Sequence, residues 1–359
     1  MTTTTSRLPP KRSPQLRIAV VFPVLAVVLA VLFAAELSLG TVRIPLGEIA
    51  NVLLGGEPSQ EIWRVIVLEL RLPRAITACL AGTALALGGL TLQTLFRNPL
   101  AGPWALGITA GAQLGVAMVA VAGAVAGSAG LAVALARLGA IADLSLATGA
   151  FAGATAMLMG VVALSRRVNA VTLLIAGLMF GFLAQGLVAV LLHFTTENQV
   201  EVFENWSDGS FGGVTPDKLM VLAPAVLLGL LLIGASIKPL NALLLGERYA
   251  RSLGVRIRRA RNTALVAVVC LAGSVTAYCG PILFLDLAVP HLCRGLCRTT
   301  DHRILVPAVA LVGSIVALTA DLIVHLPWRQ HFLHLNAVNA LIGAPVVLWV
   351  LLRRRSANA

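Results

Sequence analysis

The sequence has little charge and almost no lysine. Only 12% of its 359 residues are charged, about half the share found in an average soluble domain. Lysine occurs three times, at Lys11, Lys218 and Lys238, and none of the three follows a glycine. The phosphate-binding loop G-x-x-x-x-G-K-[ST] is therefore absent. This absence predicts a chain that is not an ATPase, so that any ATP used in its function is bound by another chain.

Cysteine is also sparse, and its positions form no regularly spaced framework. All five cysteines lie in or beside apolar runs, where a free cysteine commonly serves as a small buried hydrophobe. We therefore expect no structural disulfide. The five positions are Cys79, Cys270, Cys279, Cys293 and Cys297.

Apolar residues are abundant and come in long runs. They make up 58% of the chain, and the mean hydropathy is +0.92. A helix needs about 20 apolar residues to cross a bilayer, and the runs show none of the alternation expected of barrel strands. The sequence thus predicts an all-α integral membrane protein with about ten transmembrane helices. The predicted spans are 18–38, 74–95, 104–126, 144–164, 171–193, 219–237, 263–279, 281–297, 304–324 and 337–352.

The net charge of +12 sits mainly in short segments between the apolar runs. This placement indicates membrane topology and no nucleic-acid partner, because arginine and lysine are enriched in cytoplasmic loops. Ten spans put the basic segments 1–17, 166–167, 238–262, 298–303 and 353–359 on one side, which predicts cytoplasmic N- and C-terminal tails around a permease domain at 18–352. Loop 194–218, which is mostly acidic, then lies outside.

Two segments allow more than one interpretation. The basic tail and the run from Ile18 could form a signal peptide, but the run is longer than a usual signal core and further spans follow it. We therefore expect an uncleaved first helix. Segment 128–143 is fairly apolar but carries Arg137 and Asp143, which is compatible with an external loop or a short helix.

Arg71 and Arg74 depart from the charge pattern, because they lie at the outer start of the second span. They could extend their charged groups to the interface, or they could dock an acidic partner outside. Glycines also recur at helical spacing, which favours close helix packing in lipid. These glycines are Gly107, Gly111 and Gly115, then Gly149 and Gly153, then Gly177 and Gly181.

Polar residues inside apolar runs are candidates for chemistry. His291, Cys293 and Cys297 could hold a metal, although packing explains them more simply, and we expect no metal site and no cofactor on this chain. Asp286 and Asp321 are intramembrane carboxylates and hence functional candidates. Each could instead pair with Arg294 or cap a helix.

Several motifs, taken together and in order, resemble the FecCD-type permeases of ABC importers, which carry iron-siderophores, haem or cobalamin. The resemblance runs from about residue 60 to 352. It rests on Leu70–Arg74, Gly82–Gly89, Gln93–Gly107 with Arg97–Ala101, Trp206–Ser210, Leu245–Glu247, Leu253–Val255, Gly280–Ile282, Val289–His291, Ala320–Asp321 and Leu341–Pro345.

The resemblance implies a type II ABC importer permease fold that works as a homodimer or close heterodimer in the bacterial inner membrane. ATP-binding subunits would bind the cytoplasmic face, and a substrate-binding protein would dock outside and deliver a metal chelate. A ferric siderophore is the expected substrate. By position, Arg71 and Arg74 match arginines that dock the binding protein, and Asn98 and Leu100 match a cytoplasmic gate.

Two further groups of residues are matched in the same way. Trp206, Gly209 and Ser210 fall near the outer gate. The coupling segment, 238–262, fits the ATPase cleft, with the matching residues Leu245, Gly246, Glu247, Arg251, Leu253 and Gly254.

The sequence departs from the family pattern in three places. Leu283 and Asp286 replace two glycines, His334 to Asn336 replace a Pro-x-Gly, and His325 stands where a basic residue is usual. An ion-coupled secondary transporter that uses Asp286 and Asp321 is the alternative function. An intramembrane enzyme that uses His291, Cys293 and Asp286 is a third.

Overall fold

The computed structural model describes residues 14–127, 139–165, 167–168, 170–325 and 333–356, and these residues form helices and connecting loops without a β-strand. Residues 1–13 of the predicted N-terminal tail 1–17 and residues 128–138 of segment 128–143 lie outside the described residues. The α-helices are α1 Pro14–Ser38, α2 Leu46–Leu53, α3 Glu61–Val65, α4 Leu72–Phe96, α5 Ile108–Gly127, α6 Gly139–Ser165, α7 Ala170–His193, α8 Glu197–Ser207, α9 Pro216–Leu244, α10 Glu247–Ser252, α11 Ile257–Val268, α12 Ser274–Cys279, α13 Leu285–Cys297, α14 His302–His325 and α15 Leu335–Ser356.

Each of the ten predicted spans falls on a helix. In the described part of the chain, seven helical stretches are long and apolar enough to cross a membrane, and two shorter apolar helices lie at Ile108–Ala122 and Leu335–Leu348. The remaining predicted span, the eighth at 281–297, falls on α13, which has 13 residues and begins after a break in the helix. At about 1.5 Å per residue this helix is about 20 Å long, which is too short to cross a bilayer alone.

Three boundaries differ from the predicted ones. The second span begins early, because a π-helical turn at Ile66–Arg71 joins α3 to α4 without interruption. The helix that contains the sixth predicted span continues beyond residue 237, through Pro239 to Leu244. A 3-10 turn at Trp104–Leu106 delays the start of α5.

Helix α4 lies at the centre of the bundle. Of its most apolar stretch 83% is buried inside the protein, and it packs against α9, α13 and α14. Gly82 meets Gly313 of α14 so closely that a Cβ on Gly82 would lie 2.2 Å from the Gly313 carbonyl oxygen. In a membrane no hydrophobic effect draws helices together, so close packing of this kind stabilises their association.

The predicted glycine spacing is confirmed where α5 crosses its neighbours. A Cβ on Gly115 would lie 2.0 Å from the carbonyl oxygen of Gly149, and one on Gly111 would lie 2.6 Å from that of Gly153, both in α6. Gly107 approaches the Gly177 carbonyl oxygen of α7 in the same way, at 2.9 Å. The three glycine pairs thus set the distance between these helices.

Candidate functional site

One end of the bundle carries most of the described arginines, and we call it the basic end. It contains the loop after α4, the end of α6 and the segment from α9 to α11. Its short helix α10 is bounded by Gly246 with φ 116° and Gly254 with φ 79°. Glycine adopts these positive φ values at little cost, so the chain can turn sharply before α10 and again after it.

Helix α10 presents an apolar ridge to its surroundings. We use this name for Leu245, Tyr249 and Leu253, whose exposed fractions are 65%, 53% and 57%. Ala250, on the opposite side of α10, is fully buried and anchors the helix to the bundle. Large apolar side chains grouped on a basic surface are typical of an interaction site.

A salt bridge fixes α10 in place. Glu247 accepts a hydrogen bond from Nη2 of Arg261 at 2.8 Å, and Nη1 of the same arginine donates to the Ser165 carbonyl at the end of α6. Arg261 is mostly buried, whereas Arg251, which lies 3.7 Å from Glu247, is mostly exposed. The Arg261 contact therefore contributes more, because exposed ion pairs are worth little.

Arg97 holds the end of α9 at the same place. It takes a left-handed conformation with φ 49° at the end of α4, and its guanidinium donates to the carbonyls of Leu243 and Leu244. These carbonyls belong to the last turn of α9, which has no partners for them within the helix. Arg97 thus joins the basic ends of α4 and α9.

A second link joins α9 to the start of α14. Asn241 donates to the Asp301 carboxylate at 2.7 Å, and the same carboxylate accepts from the backbone N–H of Arg303 at 2.9 Å. The Arg303 N–H, with help from the Asn241 amide, lowers the pKa of Asp301 below its ordinary value. Because hydrogen bonds stabilise the charged form, Asp301 remains a carboxylate at neutral pH.

A groove of about 1010 Å³ runs beside α10. The ends of α4, α6 and α7 form its other walls, and charged groups of one sign dominate its lining. The arginines that line it are Arg97, Arg167, Arg248, Arg251, Arg258 and Arg261, with Glu247 as the acidic exception.

The opposite end of the bundle holds the two arginines that depart from the charge pattern, and the structure gives them different surroundings. Arg71 is only 8% exposed, and its guanidinium donates to the carbonyl of Leu37 in the last turn of α1 and to that of Val42 in the loop that follows. Arg74 is half-buried and lies against Gly212, where an added Cβ would come within 2.2 Å of Nη2. Its role in docking a partner stays a prediction, as does that of Arg71.

The residues assigned to the outer gate pack onto the break between α12 and α13. Gly209 has φ 74°, and the N–H of Ser210 donates to the Cys279 carbonyl at 2.8 Å. A Cβ on Gly280 would lie 2.1 Å from the Trp206 carbonyl oxygen. The loop after α8 therefore sits directly on the broken helix, although a gating role stays a prediction.

Asn336 ties the same break to the last helix. Its side chain accepts from the N–H of Leu283 at 3.0 Å and donates to the Pro281 carbonyl at 2.8 Å. Asn336 falls where the sequence departs from the family pattern, and this function was not predicted. The sequence offers one indication of this contact: Asn336 is a polar residue at the start of an apolar helix, and a glycine–proline break occurs elsewhere in the chain.

Comparisons with known proteins agree with this architecture. The FecCD transport family matches residues 28–353. The chain belongs to that family. It is 36% identical over 290 residues to the vitamin B12 import system permease protein BtuC of Salmonella paratyphi A, which covers 80% of this chain and 84% of the relative. The corresponding protein of Salmonella typhimurium strain LT2 is 35% identical over the same lengths.

A solved structure shares the fold as well. It is an inward-facing conformation of an ABC transporter assigned to the metal-chelate type, and it aligns with a TM-score of 0.79 at 25% identity. The alignment covers 93% of this chain and 99% of that one. The chain is therefore the permease subunit of an ABC importer of the FecCD type, a class in which a separate subunit hydrolyses ATP.

The remaining polar residues of this FecCD permease surround the loop after α4. Asn98 forms a turn by accepting from the N–H of Leu100 at 2.9 Å, and Leu100 is 44% exposed. Nε2 of His291 lies 3.0 Å from the Pro99 carbonyl oxygen. This contact turns the imidazole toward the loop, and the gate assignment of Asn98 and Leu100 stays a prediction.

Asp286 has a structural task in the permease. Its carboxylate accepts from backbone N–H groups at the start of α13, including its own and that of Leu287, and it lies against Gly102. Helix N-termini leave such N–H groups without partners. Arg294, one of the two alternatives considered for Asp286, donates to the Gln93 side chain at 2.6 Å.

Proposed function

We propose that this permease imports a metal chelate by docking ATP-binding subunits at its basic end and a substrate-binding protein at the opposite end. The observation that carries the proposal is the apolar ridge of α10, which stands exposed beside an arginine-lined groove. An exposed ridge of this kind fits the groove of a partner protein. The matched residues are Leu245, Gly246, Glu247, Arg251, Leu253 and Gly254.

The links around α10 support a role in transmitting movement. Glu247 and Arg261 join α10 to α11 and α6, while Arg97 joins the end of α9 to α4. A push on the ridge by a closing ATPase pair would therefore reach several spans together. Rigid movement of packed helices is a common way for transporters to change state.

A ferric siderophore is the first candidate substrate, in keeping with the resemblance of the motifs. Cobalamin is the second candidate, because the relatives at 35–36% identity are named as vitamin B12 permeases. Both are bulky metal chelates, and both would be delivered by an external protein that sets the specificity. The permease itself needs only a wide path between two copies of the chain or between the chain and a close paralogue.

In the proposed topology the chain lies in the bacterial inner membrane with both termini in the cytoplasm. The basic end then faces the cytoplasm, and the positions of Arg97 and Arg167 agree with the usual enrichment of arginine and lysine in cytoplasmic loops. The opposite end, with Arg71 and Arg74, faces the binding protein.

Reconstitution into proteoliposomes tests this function. The chain, its ATP-binding subunit and its binding protein are assayed for ATP-dependent uptake of a ⁵⁵Fe-labelled siderophore and, separately, of ⁵⁷Co-labelled cobalamin. We expect uptake of one chelate only, and none with an ATPase subunit that cannot hydrolyse ATP. Uptake driven by an ion gradient without the ATPase subunit would favour the secondary transporter and would overturn the proposal.

A further inference from the structure

Three ionisable side chains meet near the end of the bundle that is opposite the basic end. Glu36 comes from the last turn of α1, and Asp321 and His325 lie one turn apart at the end of α14. One ligand atom from each side chain can be chosen so that all three atoms lie within 4.8 Å of one another. The cluster is separate from the basic end and from the break that Asn336 holds.

The two carboxylates of this cluster are buried and incompletely paired. Asp321 is 1% exposed and Glu36 is 5% exposed. Oδ2 of Asp321 and Oε2 of Glu36 have no hydrogen-bond partner among the described residues. The two carboxyl groups also lie within hydrogen-bond reach of each other. A buried charge without a partner is costly, so this pair must either share a proton or coordinate a metal.

The neighbouring arginines do not meet this need. Arg71 is close enough to act electrostatically on Glu36, but the hydrogen bonds described for its Nη1 and Nη2 go to the carbonyls of Leu37 and Val42. Arg74 acts on both carboxylates from a distance, and its own Nε has no partner in the described part of the chain. The described ion pair of the cluster is that between Nδ1 of His325 and Oδ1 of Asp321, at 3.4 Å.

We propose that Glu36, Asp321 and His325 form a binding site for a divalent transition-metal ion, for which Zn²⁺ is the representative. One imidazole and two carboxylates are a ligand set that zinc accepts, with metal–ligand distances of about 2.0–2.2 Å. Ligands at those distances in a tetrahedron lie about 3.4 Å apart, the separation already present between His325 and Asp321. The imidazole selects a transition metal over Ca²⁺ or Mg²⁺, which prefer oxygen ligands.

The position of His325 gives the ion a way in. Its side chain is 30% exposed, whereas that of Asp321 is 2% exposed. The same Nδ1 atom lies 2.8 Å from the Asp321 main-chain oxygen, so the ring is already folded back toward Asp321, and a metal at Nδ1 would replace this hydrogen bond. A bound ion would join α1 to α14, the two helices that supply the ligands, and would offset the charge of both carboxylates.

The test measures metal binding by the full-length permease, purified with its partner subunits in lipid nanodiscs and freed of metal by a chelator. Zn²⁺ is added alone, with no chelate substrate, and bound metal is counted after desalting. We expect one tightly bound Zn²⁺ per chain, a rise in the melting temperature as ligand linkage requires, and visible absorption when Co²⁺ replaces Zn²⁺.

His325→Ala should lose this ion and the rise in melting temperature. The matched control is His334→Ala, because His334 also pairs with a carboxylate at the same end, Asp208 at 3.0 Å, but belongs to no such three-ligand cluster among the described residues. That variant should bind Zn²⁺ as the wild type does. Asp321→Asn should also lose the ion, and if it fails to fold, the His325→Ala variant still decides the matter, because His325 is the more exposed of the two.

Two results would overturn the proposal. The first is a wild-type chain that retains no Zn²⁺ at a tenfold excess of the metal, which would leave the two carboxyl groups sharing a proton. The second is equal binding by wild type and His325→Ala, which would place the bound metal elsewhere. The site does not depend on which chelate is transported, so neither result bears on the proposed function.

Discussion

The apolar ridge allows a quantitative prediction for ATPase docking. Tyr249 is 53% exposed and lines the groove beside α10. A fully covered aromatic side chain buries about 150–250 Å², so docking would cover about 100 Å² of this residue. At about 25 cal/mol per Å² this burial is worth about 2.5 kcal/mol. Tyr249→Ala should therefore weaken the affinity for the ATP-binding subunit about 70-fold.

The assay is a binding titration between the permease in nanodiscs and the purified ATP-binding subunit. The melting temperature of the permease is measured in parallel and should not change, because the exposed part of Tyr249 supports little of the fold. Phe194→Ala is the matched control. Phe194 is an aromatic residue that is 78% exposed at the opposite end of the bundle, so its removal should leave the affinity unchanged.

The proposed docking site is contradicted if Tyr249→Ala and Leu253→Ala, both on the ridge, each change the affinity for the ATP-binding subunit less than twofold. The ridge would then face lipid or solvent in the assembled importer. A loss of affinity in the Phe194 variant as well would indicate a general effect on folding, and the comparison would contradict a specific docking site.

Three further predictions address the fold and its connections. Gly82→Ala should lower the stability by about 1–3 kcal/mol, because its Cβ would overlap α14. Gly186→Ala should not, because there is open space around Gly186. Thermal unfolding in detergent distinguishes the two variants. Asn336→Ala should cost about 1–3 kcal/mol by leaving Leu283 N–H and Pro281 O unpaired, with Asn198→Ala, at an exposed asparagine, as the control. Asp301 has a lowered pKa, so the stability that it contributes is present above its ordinary pKa and lost as the pH falls through the lowered value. The difference in the free energy of unfolding between wild type and Asp301→Asn should therefore shrink below about pH 4. A difference that stays constant with pH would contradict the assignment.

The sequence was sufficient to predict the helical membrane fold because the signals are local. A run of about 20 apolar residues needs no partner to be recognised, and each predicted span falls on a helix. Glycines spaced by four residues likewise indicate a close-packed face, and the α5 crossings with α6 and α7 confirm it. The length of α9 was underestimated because Lys238 and Pro239 resemble the start of a loop.

The contacts of the candidate sites were much harder to predict. Glu36 and Asp321 are separated by almost the whole chain, and no local pattern indicates that they meet. Arg97 was recognised only as part of a motif, while its bonds to Leu243 and Leu244 depend on how α4 and α9 pack. Arg71 and Arg74 looked equivalent in sequence, and the fold gives Arg71 to the chain after α1 and leaves Arg74 beside Gly212.

Helix α4 connects the features at the two ends of the bundle. It carries Arg74 near its first residue and Arg97 just after its last, and its 25 residues extend about 37 Å at 1.5 Å per residue. It is the most buried of the long helices, and its close contact with α14 at Gly82 and Gly313 leaves no room for the two to slide independently. Arg97 ties its basic end to the α9 carbonyls that directly precede α10. A displacement of α9 at the basic end must therefore either break those hydrogen bonds or move α4 and α14 together, and α1, which packs mainly on α14, would be carried with them.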